Sequence, residues 1–239
     1  MSDPFSLLVA RMREAPAKRV MERLVVLGAR LVARCDDEYP LGLLDLSDPP
    51  SLLFMIGRAP AAGGTAIVGT RMPSEAGLRM AENLARRAPA PIVSGLARGI
   101  DAAAHRGALA AGVPTIAYIG TGLGLTYPPE HRTLQRSIVE AGGTVISERL
   151  PDEPVTQWAL VRRDRLQAAH ADRTVLIETE TTGGAMHTLR FAAQLNRARY
   201  ALEPRTDDSR TQGNSTAIAR GALSLPWDAE EALRRLTIG

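Results

Sequence analysis

The chain has 239 residues, a formal net charge of +3 and 45% hydrophobic residues, which is typical of one folded α/β domain, alone or with a small appendage. No apolar run reaches the roughly 18 residues of a membrane span, and the mixed charges of the N-terminus are unlike a secretory signal, so no membrane partner is expected. Cys35 is the only cysteine and the four histidines are scattered, which excludes an intrachain disulfide, disfavours a metal site and favours a cytoplasmic location.

The two ends of the chain are predicted to be helical, with a connector after the first. Apolar residues at helical spacing predict two short helices over residues 1–33, separated by Ala15-Pro16-Ala17. Residues 34–64 are rich in turn residues and are predicted to connect these helices to the main domain, with a short strand at 51–56. Residues 227–239 are predicted to form a helical tail.

The main domain is predicted to span residues 65–226, where short apolar strands alternate with helices. The strands are expected at 65–68, 92–93, 115–119, 144–146, 174–177 and 200–202. Helices are expected near 74–87, 99–111, 129–140, 158–169 and 184–196. Strands without polar alternation indicate a parallel sheet covered on both faces. We therefore predict an α/β fold: a doubly wound, mostly parallel, extended Rossmann-like sheet with helices on both faces.

Four loops that follow predicted strands carry small or hydroxyl residues where a helix begins. The positions are Gly69, Ser74, Ser94, Gly95, Gly99, Gly120, Gly122, Gly183 and Gly184. Ligands of such sheets bind outside the carboxyl ends of the strands, where glycine lets free backbone amides approach an anion. Each glycine alone is explained by a tight turn, but four loops on one edge favour an anion site. In the second loop, we expect the amides of Gly95 to Gly99 to hold a phosphate.

Arginines accompany these loops. Lys18 is the only lysine, so 28 of the 29 basic residues are arginine, which offers planar, bidentate contacts to phosphate. Six lie at or near the predicted edge: Arg71, Arg98, Arg132, Arg162, Arg163 and Arg165. A single arginine is usually a solvated surface charge, whereas six together indicate a surface that follows a phosphate backbone. Asp101 is expected to be structural, bound to loop amides or to Arg98, and His105 is expected to be a packed residue.

Enzymatic chemistry has little support in the sequence. Gly120-x-Gly122 is followed by Leu125 rather than glycine, and no G-x-x-x-x-G-K-[ST] occurs, so neither a dinucleotide fingerprint nor a P-loop is present. Glu178 and Glu180 follow a strand and could act as general acid and base. Helix capping and pairing with arginines explain them better, so we expect no catalytic residue and no cofactor.

Several stretches together resemble the DprA/Smf family of DNA-processing proteins, from about residue 39 to residue 225. Residues 94–101 read SGLARGID, followed by His105, and nearly match the family's SGLARGID…H. Residues 69–71 with Ser74 and Gly77 resemble GSR…S…G, and residues 120–128 resemble GTGLD…YP. Residues 183–188 and 212–222 resemble the family's SG-x-L-x-T and G-x-N-x-LI-x-x-GA.

The resemblance implies a Rossmann-like domain that binds single-stranded DNA in a basic pocket, self-associates and hands the strand to the RecA recombinase during natural transformation. Carried over by motif, the pocket residues are Arg71, Ser94, Gly95, Arg98 and Gly99. Arg132 falls in the basic segment after Tyr-Pro, and Arg162, Arg163 and Arg165 fall on F-P-x-R-N-R.

The chain departs from the family pattern at several positions. F-P-x-R-N-R reads LVRRDR here, so Leu160 replaces a phenylalanine that could stack on a base, and Asp164 replaces an asparagine. His131 and Gly124 replace an asparagine and an aspartate. We expect a minimal member with a short N-terminal segment and no winged helix. These departures keep open an alternative, in which the edge binds a nucleotide or nucleotide-derived signal, or hydrolyses a nucleoside monophosphate.

Overall fold

Short apolar stretches form strands and the longer segments between them form helices. The computed structural model describes residues 3–58, 63–206 and 208–238. The strands in these ranges are β1 Arg30–Ala33, β2 Leu52–Ile56, β3 Thr65–Val68, β4 Ile92–Ser94, β5 Thr115–Tyr118, β6 Thr144–Ser147, β7 Arg173–Leu176, β8 Ala198–Leu202 and β9 Leu223–Leu225. The helices are α1 Pro4–Met12, α2 Glu14–Leu27, α3 Glu75–Ala85, α4 Ile100–Ala110, α5 Arg132–Glu140, α6 Gln157–His170, α7 Ala185–Gln194, α8 Gln212–Ala219 and α9 Ala229–Ile238. Short 3-10 segments lie at Leu41–Asp45, Pro129–His131 and Ser209–Thr211.

The strands of the described residues form one nine-stranded sheet in the order β1-β2-β6-β5-β4-β3-β7-β8-β9. All pairings among β3 to β9 are parallel, whereas β2 pairs antiparallel with both β1 and β6. From β3 the chain builds outward through β4, β5 and β6, and it then returns to place β7 on the other side of β3. The order therefore reverses between β3 and β7, which creates a switch point where ligands bind in such sheets.

Apolar side chains cover both faces of the central strands, because successive residues of a strand point to opposite sides. On one face, Ile67 and Val175 pack in a cluster with residues of α3, α4 and α9. On the other, Ala66 and Val93 pack with Leu166 of α6 and its neighbours. The mostly parallel sheet with helices on both faces confirms the predicted doubly wound α/β fold.

The N-terminal region differs in detail from the prediction. The break between the two helices lies at Arg13, whose φ is 73°, and not at Ala15-Pro16-Ala17. Pro16 fits in the first turn of α2, where a backbone N–H has no partner within the helix. Residues 30–33 form β1 rather than the end of a helix, because they pair with β2.

The sheet extends beyond the predicted main domain. Strands β1 and β2 join it from the predicted segments 1–33 and 34–64, and α9 of the predicted tail packs against α3. Helix α8 and strand β9, which the sequence pattern did not indicate, lie within 65–226. The boundaries at 33, 64 and 226 stay a prediction, and residues 59–62 of the connector, with 1, 2, 207 and 239, lie outside the described residues.

A buried asparagine joins α8 to the end of the sheet. The side-chain amide of Asn214 donates to the carbonyls of Ile177 at 2.8 Å and Leu202 at 3.0 Å. Its carbonyl oxygen accepts from the backbone N–H of Thr179 at 3.2 Å. The residue is fully buried, so its side chain supplies these three backbone groups with hydrogen bonds away from water.

Replacing Asn214 with alanine is expected to lower the free energy of unfolding by roughly 2–4 kcal/mol, because buried backbone groups lose their partner. Chemical denaturation monitored by circular dichroism measures the change. Ser215→Ala, on the exposed side of the same helix, is the matched control and should shift stability by less than about 0.5 kcal/mol. Equal effects of the two variants would contradict this role.

Candidate functional site

A cleft of about 600 Å³ lies at the switch point, outside the carboxyl ends of the parallel strands. Residues 68–72 at the end of β3 line it, together with most of residues 179–188 after β7. The segment at α6 contributes Val155, Thr156, Gln157, Leu160, Val161, Arg163, Asp164 and Gln167. We call it the switch-point cleft. Among the predicted site residues, it brings together Gly69, Arg71, Arg163, Gly183 and Gly184.

A smaller pocket adjoins this cleft and carries the arginines. It is lined by Arg71, Gly95, Ala97, Arg98, Gly120, Tyr127, Pro128, Leu160 and Arg163. We call it the arginine pocket. None of the described residues that line it is a carboxylate, whereas the switch-point cleft also contains Asp101, Asp164 and Glu180. By the charge of its lining residues, the arginine pocket is therefore more favourable to a phosphate than the switch-point cleft.

Arg71 is the most available cation of this pocket. Its side chain is exposed, and no carboxylate of the described residues lies within ion-pair distance of it. Arg98 is also exposed, but it pairs with Glu130. That carboxylate raises the pKa of Arg98 further above its usual value, by hydrogen bonding and by charge. Because the pair is open to water, an incoming phosphate can replace Glu130 at modest cost.

The loop after β4 holds a carboxylate in place of the expected phosphate. The backbone N–H groups of Gly95 and Ala97 donate to the Asp101 carboxylate at 3.2 and 3.3 Å. The prediction that these loop amides hold a phosphate is therefore wrong for both residues. Asp101 is structural, as expected, but its arginine partner is Arg163, at 3.5 Å, and not Arg98.

Arg163 is part of the scaffold of the pocket. Only 7% of the residue is exposed, and its guanidinium occupies the space where a Cβ on Gly95 would stand, with 1.3 Å to the nearest nitrogen. This close approach explains why glycine is required there. Asp101, at 3.5 Å, neutralises the guanidinium, and Asp164 lies 3.4 Å from it.

The three remaining predicted arginines lie outside the arginine pocket, and they differ in burial. Arg165 is buried and forms an ion pair with Glu148, and it donates to the backbone carbonyl of Asp48 at 3.1 Å. Arg165 therefore joins α6 to the segments that carry Glu148 and Asp48. It lines neither the switch-point cleft nor the arginine pocket. Arg162 is partly exposed and pairs with Asp48 at 2.9 Å. Arg132 is exposed at the start of α5 but lines neither the cleft nor the pocket.

Several predicted site residues support the loops without lining the pocket. The hydroxyl of Ser94 donates to the carbonyl of Ile67 at 2.7 Å in the sheet. Gly99, at φ 72°, lies so close to the Thr70 carbonyl that a Cβ would stand 2.3 Å from its oxygen. A Cβ on Gly122 would stand 1.9 Å from the Leu150 carbonyl oxygen, and Gly122 faces that loop.

Glu178, a candidate catalytic residue, holds the serine that caps α3. Its carboxylate is fully buried and accepts from the backbone N–H of Ser74 at 2.8 Å and from the Ser74 hydroxyl at 2.5 Å. The Ser74 oxygen in turn accepts from the N–H of Gly77 at 2.9 Å and caps α3. Glu180, the other candidate, is exposed and lines the switch-point cleft.

The departure from the family pattern at residue 164 places a buried carboxyl in the cleft. Asp164 is nearly buried, and its oxygen accepts from the Gln167 side chain at 3.4 Å. Burial raises the pKa of Asp164 to about 7, and the charge of Asp101 raises it as well, whereas Arg163 and Arg71 lower it. The carboxyl is therefore divided between its neutral and charged forms near neutral pH.

The histidines of the region are bound within the protein. His105 Nδ1 lies 2.7 Å from the Thr115 hydroxyl, which itself donates to a backbone carbonyl, so Nδ1 carries the hydrogen. Burial lowers the pKa of His105 to about 3, and the neutral, packed residue matches the expectation.

Across the described residues, no group of three or more histidine, cysteine, aspartate or glutamate side chains is placed to share a metal ion. Within the same residues, no helix is long and apolar enough to cross a membrane.

Two aromatic residues near the pocket were not identified as site residues from the sequence. Tyr127 lines both the arginine pocket and the switch-point cleft and is 37% exposed. Trp158 lies in the first turn of α6 and is 62% exposed. Its spacing of four residues from Arg162, which places both on one helix face, is a signal that the sequence contained.

Asp164→Asn is expected to stabilise the protein increasingly as the pH rises. The folded-state pKa of about 7 lies above the usual aspartate value of 3.8, so the folded state retains a proton that the unfolded state releases between these values. The free energy of unfolding of the parent protein therefore falls from about pH 4 to pH 7, and the variant avoids this loss. Thermal melts at about pH 5 and pH 8 should show a gain that is about 1–3 kcal/mol larger at the higher pH.

The exposed Asp37→Asn variant is the control for this measurement. As a substitution at an exposed position, it should change the free energy of unfolding by less than about 0.5 kcal/mol at either pH. A gain from Asp164→Asn that was the same at both pH values would contradict the raised pKa.

Comparison with known proteins shows which family the chain is related to. The model of the family described as DNA recombination-mediator protein A matches residues 30–237. The chain is 34% identical to Protein Smf of Escherichia coli over 215 residues, which cover 87% of this chain and 57% of that protein. It is 34% identical to DNA processing protein DprA of Streptococcus pneumoniae over 191 residues, covering 78% of this chain and 67% of the relative.

Solved structures agree with the sequence relationship. The crystal structure of DprA from Streptococcus pneumoniae superimposes with a TM-score of 0.80 and 28% identity, covering 98% of this chain and 87% of the other. The structure of DNA processing protein A from Helicobacter pylori, described for its single-stranded DNA binding mode, has a TM-score of 0.75 and 24% identity over 88% of this chain and 96% of that one. The chain spans about half to two thirds of the length of several curated relatives. The matched model, the sequence relatives and the shared fold show that this chain belongs to the DprA/Smf family of DNA-processing proteins.

Proposed function

We propose that the chain binds single-stranded DNA through the arginine pocket, without catalysing a reaction, protects the strand and delivers it to a RecA-type recombinase in the cytoplasm. The observation that carries the proposal is the composition of the pocket. Arg71, Arg98 and Arg163 line it beside Tyr127, with no carboxylate among its described lining residues. A phosphate backbone and an unpaired base are the two groups that such a lining recognises.

The arginines contribute unequally to the proposed binding. Arg71 has no carboxylate within ion-pair distance among the described residues, so a phosphate contact there breaks no existing ion pair. Arg98 exchanges Glu130 for phosphate, which releases an exposed carboxylate to water. Arg163 keeps its two aspartates and contributes shape to the pocket wall rather than a free charge. These contacts go to the backbone of the strand, so we expect little sequence preference and strong salt dependence.

The known relatives support the direction of the proposal. The Helicobacter pylori protein is described as binding single-stranded DNA, and the Streptococcus pneumoniae relative is a DNA processing protein. Protection of the strand, delivery to a recombinase in natural transformation and self-association as a homodimer are extensions to this chain, which covers only part of several relatives. They belong to the proposal because the family resemblance implies them.

The enzymatic alternative is the weaker one. A hydrolase built on two carboxylates would need Glu178 free to accept or donate a proton at the substrate, yet that carboxylate is buried and bound to Ser74. The alternative retains one specific support. Asp164 and Glu180 give the switch-point cleft acceptors suited to a base or a ribose hydroxyl, and its volume suits one nucleotide.

Arg71→Ala and Arg98→Ala are each expected to weaken binding of labelled oligo-dT by about tenfold, because each removes a charge-assisted contact. The slope of log affinity against log salt should fall by about 0.7 for each phosphate that the variant no longer neutralises. Fluorescence anisotropy across a salt series measures both quantities. Arg106→Ala is the matched control, since Arg106 is exposed on α4 and lines neither the cleft nor the pocket.

Absence of oligo-dT binding at moderate salt would overturn the proposal. A thermal-shift series with nucleoside monophosphates would then test the alternative, since a ligand that binds the folded state raises its melting temperature. Binding that Arg71→Ala and Arg106→Ala weakened equally would show that the arginine pocket is not the site.

A further inference from the structure

A second cleft, of about 670 Å³, lies beside the first turns of α6. Its described lining residues are Arg34, Ser47, Asp48, Pro49, Pro50, Ser51, Leu52, Ile119, Glu148, Arg149, Trp158, Ala159, Arg162 and Arg163. It is as large as the switch-point cleft, but its outer part, formed by residue 34 and residues 47–52, lies outside the motifs that carry the family resemblance.

An exposed tryptophan stands at this second cleft. Trp158 keeps 62% of its surface accessible, an unusual exposure for the largest apolar side chain. The guanidinium of Arg162 lies 5.1 Å from the centre of its ring and helps to hold the indole in place. The ring surface that remains open is suited to stacking on a flat, unpaired base.

The second cleft and the arginine pocket lie side by side, with the start of α6 between them. Arg163 lines the second cleft, the arginine pocket and the switch-point cleft alike. Leu160 lines the arginine pocket, whereas Trp158 and Arg162 line the second cleft. The first two turns of α6 therefore separate the second cleft from the arginine pocket. A flexible DNA strand can pass from the arginine pocket to the second cleft over this helix.

The charges of the lining residues favour a phosphate backbone that runs from the arginine pocket into the second cleft. Four arginines and two carboxylates line the second cleft, and the carboxylates Asp48 and Glu148 are already paired with Arg162 and Arg165. Arg34 is exposed, and no carboxylate of the described residues lies within ion-pair distance of it. In the opposite direction the strand would meet Asp164 and Glu180 in the switch-point cleft, which repel phosphate.

We infer that the second cleft is an additional subsite for the same DNA strand, in which a base stacks on Trp158 while Arg34 contacts the backbone. The inference rests on the proposed single-strand binding and deepens it, because it assigns a direction and a second anchor to the strand. The ligand class is a nucleotide of single-stranded DNA, contacted through its base plane and its phosphate rather than through a sequence-specific edge.

Tryptophan fluorescence tests the stacking directly. The chain has two tryptophans, and Trp227 donates to the Glu203 carbonyl and lies under Arg205, away from the residues that line the second cleft. In a Trp227→Phe variant, Trp158 is the only tryptophan, and its emission is excited selectively at wavelengths that tyrosine does not absorb. Titration with oligo-dT of about 16 nucleotides should quench this emission, whereas a thymidine dinucleotide, too short to contact the arginine pocket and also reach over two turns of α6, should quench it little.

Affinity provides the second readout. Trp158→Ala should weaken binding of the longer oligonucleotide about tenfold, the scale of one base–aromatic stack, and leave binding of the shorter one unchanged. Trp158→Phe should restore most of the loss, since phenylalanine retains a stacking face. Circular dichroism of each variant verifies that the fold is intact.

The outcomes separate this inference from the proposed function. Binding of both oligonucleotides that depends on Arg71, with no quenching of Trp158 and no effect of Trp158→Ala, would overturn the second subsite and leave the proposed function standing. Equal weakening of the short and long oligonucleotides by Trp158→Ala would also overturn it. No binding of either oligonucleotide by the parent protein would instead overturn the proposed function.

Discussion

The pocket depends on one buried arrangement of charges around Asp101. This carboxylate, in the first turn of α4, accepts from two amides of the loop after β4 and pairs with Arg163 of α6. Arg163 lies on Gly95 and reaches Asp164 as well. Because a buried charge that loses its partner costs several kcal/mol, these groups fix the loop, the helix and the floor of the pocket together.

That arrangement determines which cations remain for a ligand. Arg163 and Arg165 are neutralised within the fold, by Asp101 and by Glu148, and so contribute shape more than binding. Arg71 and Arg98 lie at the surface, where a phosphate can reach them. A second buried carboxylate, Glu178, joins the loop after β7 to the start of α3 and orders the loop that carries Arg71. The exposed arginines are thus presented on a rigid frame.

The carboxylates are distributed unevenly among the three cavities, and this distribution favours one path for a phosphate backbone. Acidic side chains gather at the switch-point cleft, whereas the arginine pocket has none among its described lining residues and those of the second cleft are paired with arginines. The aromatic side chains follow the same path, from Tyr127 to Trp158. Leu160, which stands where the family pattern has a phenylalanine, lines the arginine pocket with Tyr127 and lies two residues after Trp158. The chain therefore retains stacking surfaces near the position where that aromatic residue is absent.

The sequence by itself determined the parallel core of the sheet and the family, and it predicted the edge where ligands approach. Continuous apolar runs such as residues 65–68 can bury both faces only in a covered parallel sheet, and the SGLARGID stretch is specific enough to be recognised unaided. Only the tertiary structure decided what each arginine does. Arg71 and Arg165 look alike in sequence, but Arg165 meets Glu148 and Asp48, which are 17 and 117 residues away along the chain. Whether a side chain is free or neutralised depends on such distant partners, and local pattern carries no information about them.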